Sequence, residues 1–179
     1  MPLASSSGEP RLTDFGKVSM RNLKLTTTLC LALGLACSAN ASEFFYANAV
    51  HPSSGQIVIK PDSIGGHRAT AASMCAVQEP MWCYHSDVFS LALPKQGFNI
   101  TAWTYGGFRY EIQKQTKLSL LGSELEVLEI LQSRGTKKVM HFVYSPERGL
   151  ISFQAAQAAA PSFLSESRCG LGAPESCKE

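Results

Sequence analysis

What this sequence lacks excludes most catalytic and nucleotide-binding classes. There is no phosphate-cradling Gly-rich loop, no dinucleotide fingerprint, no Gly-x-Ser-x-Gly elbow and no Ser-x-x-Lys pair in a recognisable setting. The four histidines, His51, His67, His85 and His141, stand at none of the paired spacings that zinc or iron sites use. The apolar run Leu25 to Cys37 is shorter than the ~20 residues a membrane-crossing helix needs. An excess of charge of one sign is missing too, once the leader described next is set aside. Of the 16 Lys and Arg, only Arg11, Lys17, Arg21 and Lys24 precede Ser42, and of the 14 Asp and Glu only Glu9 and Asp14 do. Residues 42–179 are therefore formally neutral and carry no electrostatic footprint for nucleic acid or for an anionic membrane surface.

What is there begins with an address. Residues 1–19 are polar and irregular. From Met20, the basic Arg21 and Lys24, the apolar run Leu25 to Cys37 and the small residues Ala39-Asn40-Ala41 follow the three-part pattern of a secretory signal peptide of bacterial type. Cleavage is expected after Ala41, with Met20 the expected initiator and residues 1–19 an upstream extension. Leu35-Ala36-Cys37 bears a faint likeness to a lipoprotein acylation site, with Gly34 where such sites carry Leu. The remainder, 42–179, has the length of one exported domain, periplasmic or secreted, with no transmembrane segment after cleavage.

The organising stretch of that domain is 98–153, where tight-turn signals separate alternating segments. Gly106-Gly107 predicts a hairpin that sets Tyr105 against Phe108, Trp103 against Tyr110 and Thr101 against Ile112. Gly122-Ser123 predicts a second, with Leu120 opposite Leu125 and Leu118 opposite Val127 on the same face. Arg134-Gly135 predicts a third, placing Val127 against Phe142 and Leu125 against Tyr144, with Leu128, Ile130, Val139 and His141 on the reverse side. Pro146 to Gly149 closes a fourth, Tyr144 against Ile151 and Phe142 against Phe153. Lys114 and Thr116 would then fall on the apolar face, so a bulge or bend is expected there. Outside the meander, Glu43–Val50 is expected as a first strand or a cover over the sheet, and strands are expected at Gln56–Lys60 and Asp87–Leu93. A short helix is expected over Arg68–Val77, which is rich in Ala and free of Gly and Pro, and the Cys-containing tail 161–179 reads as loop. The fold class is mostly β, an antiparallel up-and-down meander curling into a barrel-like or half-open sheet, with one short helix and disulfide-closed loops.

Four cysteines remain after the leader: Cys75, Cys83, Cys169 and Cys177. In an oxidising compartment they read as two disulfides. Three connectivities are open, and pairing Cys75 with Cys83 and Cys169 with Cys177 is the simplest, each loop worth roughly 2–3 kcal/mol.

Candidate chemistry is sparse. Met74-Cys75 and Met81-Trp82-Cys83-Tyr84-His85 bring together the soft ligands of a copper(I) site, but an oxidised pair cannot coordinate as thiolates, so no metal or cofactor is assigned. Trp103, Tyr105, Tyr110 and Tyr144 are the candidate ligand-lining residues on the aromatic face, set against the reading that this face is the core. The functional expectation is a small exported, non-enzymatic binding protein whose partner is another protein or an envelope component. The alternatives are a carrier of a small apolar ligand within the sheet and a soft-metal handler using Met74 to His85.

Overall fold

The computed structural model of the chain describes residues 43–50, 55–66, 68–120 and 122–177. The leader, His51 and His67 lie outside them. The described residues form twelve strands, all paired antiparallel: β1 (Phe44–Asn48), β2 (Gln56–Ile59), β3 (Ser63–Gly65), β4 (Ala69–Met74), β5 (Met81–Ser86), β6 (Ser90–Pro94), β7 (Ala102–Tyr105), β8 (Phe108–Leu120), β9 (Ser123–Arg134), β10 (Lys137–Ser145), β11 (Gly149–Ala155) and β12 (Ser162–Ser165). A single 3-10 turn, Glu175–Cys177, is the one helical piece among them. No described helix is long and apolar enough to cross a membrane.

The strand order, β6-β5-β4-β3-β2-β1-β12-β11-β10-β9-β8-β7, makes two meanders that share the β1·β12 ladder. The chain runs outward from β1 to one edge, passes to the opposite edge, and returns to β12. Laid flat, such a sheet would hold its edges about 50 Å apart, from eleven inter-strand spacings. The segment joining β6 to β7 covers eight Cα steps and reaches no more than about 30 Å. The sheet must therefore curl until its edges approach, and it does so as a nearly closed barrel.

The first hairpin has the predicted register. Trp103 pairs with Tyr110 and Tyr105 with Phe108, around Gly106 and Gly107, whose φ values of 59° and 77° suit the turn that matches strand twist. Trp103 and Tyr110 stack at 5.6 Å on the same side. Phe142 also faces Phe153 as expected.

Three bulges change the rest of the scheme. β8 shifts register between Ile112 and Lys114, where the stranded polar side chains called for a bulge. The second turn falls one residue earlier than predicted, with Leu120 opposite Ser123, Leu118 opposite Leu125 and Thr116 opposite Val127. The β8 bulge sends Leu118 and Leu120 to the face opposite Tyr110 and Ile112. There they join Leu125, Val127, Val143 and Ile151 in a small second cluster. The third turn falls one residue later than predicted, with Arg134 opposite Lys137, and β10 shifts between Lys138 and Met140, so Phe142 faces Ile130 and Tyr144 faces Leu128. Leu128 and Ile130 thus belong to the main core, not the reverse face, while His141 stays outside. The last shift, next to Tyr144, sets that residue against Leu150 rather than Ile151.

Two further expectations are corrected. Residues 68–77 form no helix: β4 takes up Ala69–Met74, with Ala72 opposite Ser86 and Ser73 opposite His85. Ala gains only a few tenths of a kcal/mol per residue from helix propensity, and so short a helix cannot repay its own nucleation. A strand there is paired on both sides, by β3 and β5. The tail is also more than loop. β12 pairs with both β1 and β11, and beyond it residues 169–173 pack across one end of the barrel. Leu171 is buried in the core, its carbonyl accepts from Leu150 N at 2.8 Å, and Leu171 N donates to the Tyr46 hydroxyl at 3.1 Å. The Cys169–Cys177 disulfide closes this plug, and Cys75–Cys83 crosses from the end of β4 to β5, with Cα separations of 5.9 and 5.2 Å. Both are the local pairings.

Candidate functional site

The two edges of the sheet meet through side chains. On the free edge of β6, the Ala92 carbonyl accepts from the Trp103 indole at 2.9 Å, and the Ser90 carbonyl accepts from Gln132 Nε2 at 2.7 Å and from the Tyr110 hydroxyl at 3.3 Å. β7 laps over the outer face of β5 and β6. Tyr84, Leu91 and Leu93 turn inward, toward the Phe89, Phe142 and Phe153 rings. Cys83, His85 and Ala92 turn outward on those same strands, and β7 covers them.

Of the four predicted ligand-lining residues, the structure buries three in the packed core: Trp103, Tyr110 and Tyr144. Their polar tips are used internally, with the Tyr144 hydroxyl donating to Gly172 O at 3.0 Å and Gln132 Nε2 donating to the Tyr110 hydroxyl at 2.9 Å. Burial pushes the Tyr110 and Tyr144 phenols up to about 12, with the Gln132 hydrogen bond partly offsetting the rise at Tyr110. Burial also raises Tyr84 to about 12, and Tyr46 still further. All are neutral donors at physiological pH.

Tyr105 is different. It reaches out of the core at the seam, its ring stacked on His85 at 5.6 Å and its hydroxyl donating to Glu79 Oε2 at 2.6 Å. That hydrogen bond is the main reason its phenol is also raised. The same oxygen lies 2.8 Å from Cys75 Sγ, and the cysteine sulfurs and a His85 nitrogen all lie within 4.8 Å of one another. The soft ligands that the sequence brings together are thus brought together in space, with the two sulfurs joined as a disulfide.

A second feature has no counterpart in the sequence reading. A groove of about 440 Å³ opens where the β9–β10 and β7–β8 turns meet the end of β11. Val88, Phe108, Val139 and Met140 form its apolar floor, and Arg134, Lys137 and Lys138 rim it. The Arg134 guanidinium sits 4.2 Å over the Phe108 ring, and none of the three cations is ion-paired with a described carboxylate. Val88 is 50% exposed, an apolar side chain held beside charge. The basic hairpin tip is visible in the sequence. Its floor is not, because it depends on the bulge at Val139. A smaller cleft of about 380 Å³, lined by Trp82, Phe98, Tyr144 and Pro174, lies by the plug, where Gly172 packs against the Trp82 ring.

No family model matches this chain, and no curated protein or solved structure matches it.

Proposed function

We propose that this is an exported, non-enzymatic binding protein whose ligand is a single-chain anionic amphiphile of the cell envelope, held in the groove between Arg134, Lys137, Lys138 and the Val88–Phe108–Met140 floor. The observation that carries the reading is the rim of three cations without acidic partners around an apolar floor. A carboxylate or phosphate head answers the rim and an acyl chain answers the floor. The strands that line the groove, β8 with Phe108, β10 with Val139 and Met140, and β11 with Ala155, are interior to the sheet, and the Val139 carbonyl is taken by Ala156 N at 2.9 Å. The floor therefore offers little of the free backbone an extended peptide would pair with, which favours an amphiphile over a peptide. With Trp103, Tyr110 and Tyr144 used in packing, an apolar ligand is better placed on the outer face than inside the sheet. Export is supported by the leader pattern and by the two disulfides.

Calorimetric titration with dodecanoate, below its micellar concentration, tests this. The parent protein is expected to bind one equivalent, and Arg134→Glu/Lys137→Glu at least about tenfold more weakly, from the loss of charge-assisted hydrogen bonds. Dodecanol, with the same chain and no charge, is expected to bind poorly. Equal binding of dodecanoate by parent and variant would refute the assignment. So would association with anionic vesicles but not with the free amphiphile.

A further inference from the structure

The cluster at the seam carries a second inference, independent of the groove. We propose that Cys75, Cys83 and His85 form a redox-gated copper(I) site, closed while the two cysteines are bridged and opened by a dithiol reductant.

Geometry supplies the ligand set. Cys75 follows the last residue of β4 and faces Cys83 on β5, linked by Cys75 N donating to Cys83 O at 3.3 Å; Met74 pairs with Tyr84 between them and the next pair, Ser73 with His85. Residues two apart on a strand share a face, so His85 points the same way as Cys83. The three donor atoms already lie within 4.8 Å of one another. Breaking the sulfur–sulfur bond lets the sulfurs part to the roughly 4 Å that two ligands of one soft ion keep, without moving either strand far. Two thiolates and one imidazole make a three-coordinate set. Zinc prefers four ligands, and among the described residues no carboxylate joins the cluster. A low-coordinate, thiolate-seeking ion fits better, which selects copper(I).

His85 is otherwise unemployed. Its ring stacks on Tyr105, and among the described residues no hydrogen bond uses its nitrogens. Tyr105 adds an exit for a proton. Its single phenolic hydrogen goes to Glu79, leaving oxygen lone pairs toward Cys75 Sγ. A reduced Cys75 thiol would donate to that oxygen, giving a thiol–phenol–carboxylate chain along which the proton lost on metal binding can leave.

The steps balance. A dithiol passes two electrons and two protons to the Cys75–Cys83 bond and becomes a disulfide itself, leaving two thiols on the protein. Copper(I) then replaces both thiol protons, which are released, and the metal keeps its oxidation state.

The test starts from protein reduced with dithiothreitol and desalted without oxygen, with circular dichroism confirming that the sheet persists. Copper(I) is supplied as its bicinchoninate complex, whose colour reports transfer, and iodoacetamide labelling read by mass spectrometry reports each cysteine separately. One copper per reduced chain is expected, none on the unreduced protein, with alkylation of Cys75 and Cys83 slowed at least tenfold by the metal. His85→Ala should keep the same thiol count and lose tenfold or more in copper affinity. The proposal is overturned if bicinchoninate retains its copper, if copper leaves the Cys75 and Cys83 alkylation rates unchanged, or if His85→Ala holds the metal as tightly as the parent.

Discussion

Trp103 donates its indole hydrogen to the Ala92 carbonyl at 2.9 Å, and that bond ties together two edges of a sheet that no backbone ladder joins. An open edge strand presents unpaired carbonyls, a template for association with other chains. Here Trp103, Tyr110 and Gln132 occupy the carbonyls of β6, so the barrel closes with side-chain donors.

Trp103→Phe keeps most of the buried area and removes that donor. The Ala92 carbonyl is left buried and unpaired, so the variant should lose about 1–3 kcal/mol. Tyr110→Phe should cost less, because Ser90 O keeps its bond from Gln132 at 2.7 Å. Urea unfolding measures both. Equal midpoints for parent and Trp103→Phe would mean that the seam bond contributes nothing.

Alkali should unfold the protein cooperatively. Tyr110 and Tyr144 have folded values near 12 against 10.0 unfolded, so the unfolded chain gives up these protons first. Their stabilising contribution is complete below pH 10 and is lost as pH rises from 10 to 12, at about 1.4 kcal/mol per pH unit for each phenol. Tyrosinate absorbance at 295 nm should rise together with loss of the β circular dichroism signal. Free titration of these phenols in an intact sheet would contradict their burial.

Gly170→Ala should unseat the plug. An added Cβ would sit 2.0 Å from the Leu150 carbonyl oxygen and 2.9 Å from its carbon, backbone atoms that no rotamer change can move aside. A loss of about 3 kcal/mol is expected, at the upper end for overpacking. Gly135→Ala, with open space around it but φ at 58°, should cost no more than about 1–2 kcal/mol. Thermal unfolding of the two variants should rank them in that order.

How much of this could be read in the sequence depended on whether a residue's position had a local cause. The Trp103–Tyr110 pair was legible because a Gly-Gly turn allows one register. Phe142 against Phe153 survived because the loop and a compensating bulge keep the pair aligned. Leu128 and Ile130 reach the main core because the β8 bulge sets Ile130 opposite Ile112 and the β10 bulge at Val139 sets them opposite Tyr144 and Phe142, and the bulge at Val139 carries no residue signature of its own. At Ala69–Met74, local propensity favoured one state and pairing on both sides imposed another. The aromatic face was recognisable, but the groove was not, since its cations and its floor come from different turns that meet only when the sheet closes.

The central claim is that ligand is held on the outside, at the β9–β10 end. The most direct measurement is a two-dimensional amide NMR titration of the labelled protein with dodecanoate. The account predicts saturable shifts concentrated at Arg134, Lys137–Met140 and Ala155–Gln157, with Trp103, Tyr110 and Tyr144 unmoved. Shifts centred on those three buried aromatics, or no saturable shift at all, would contradict it.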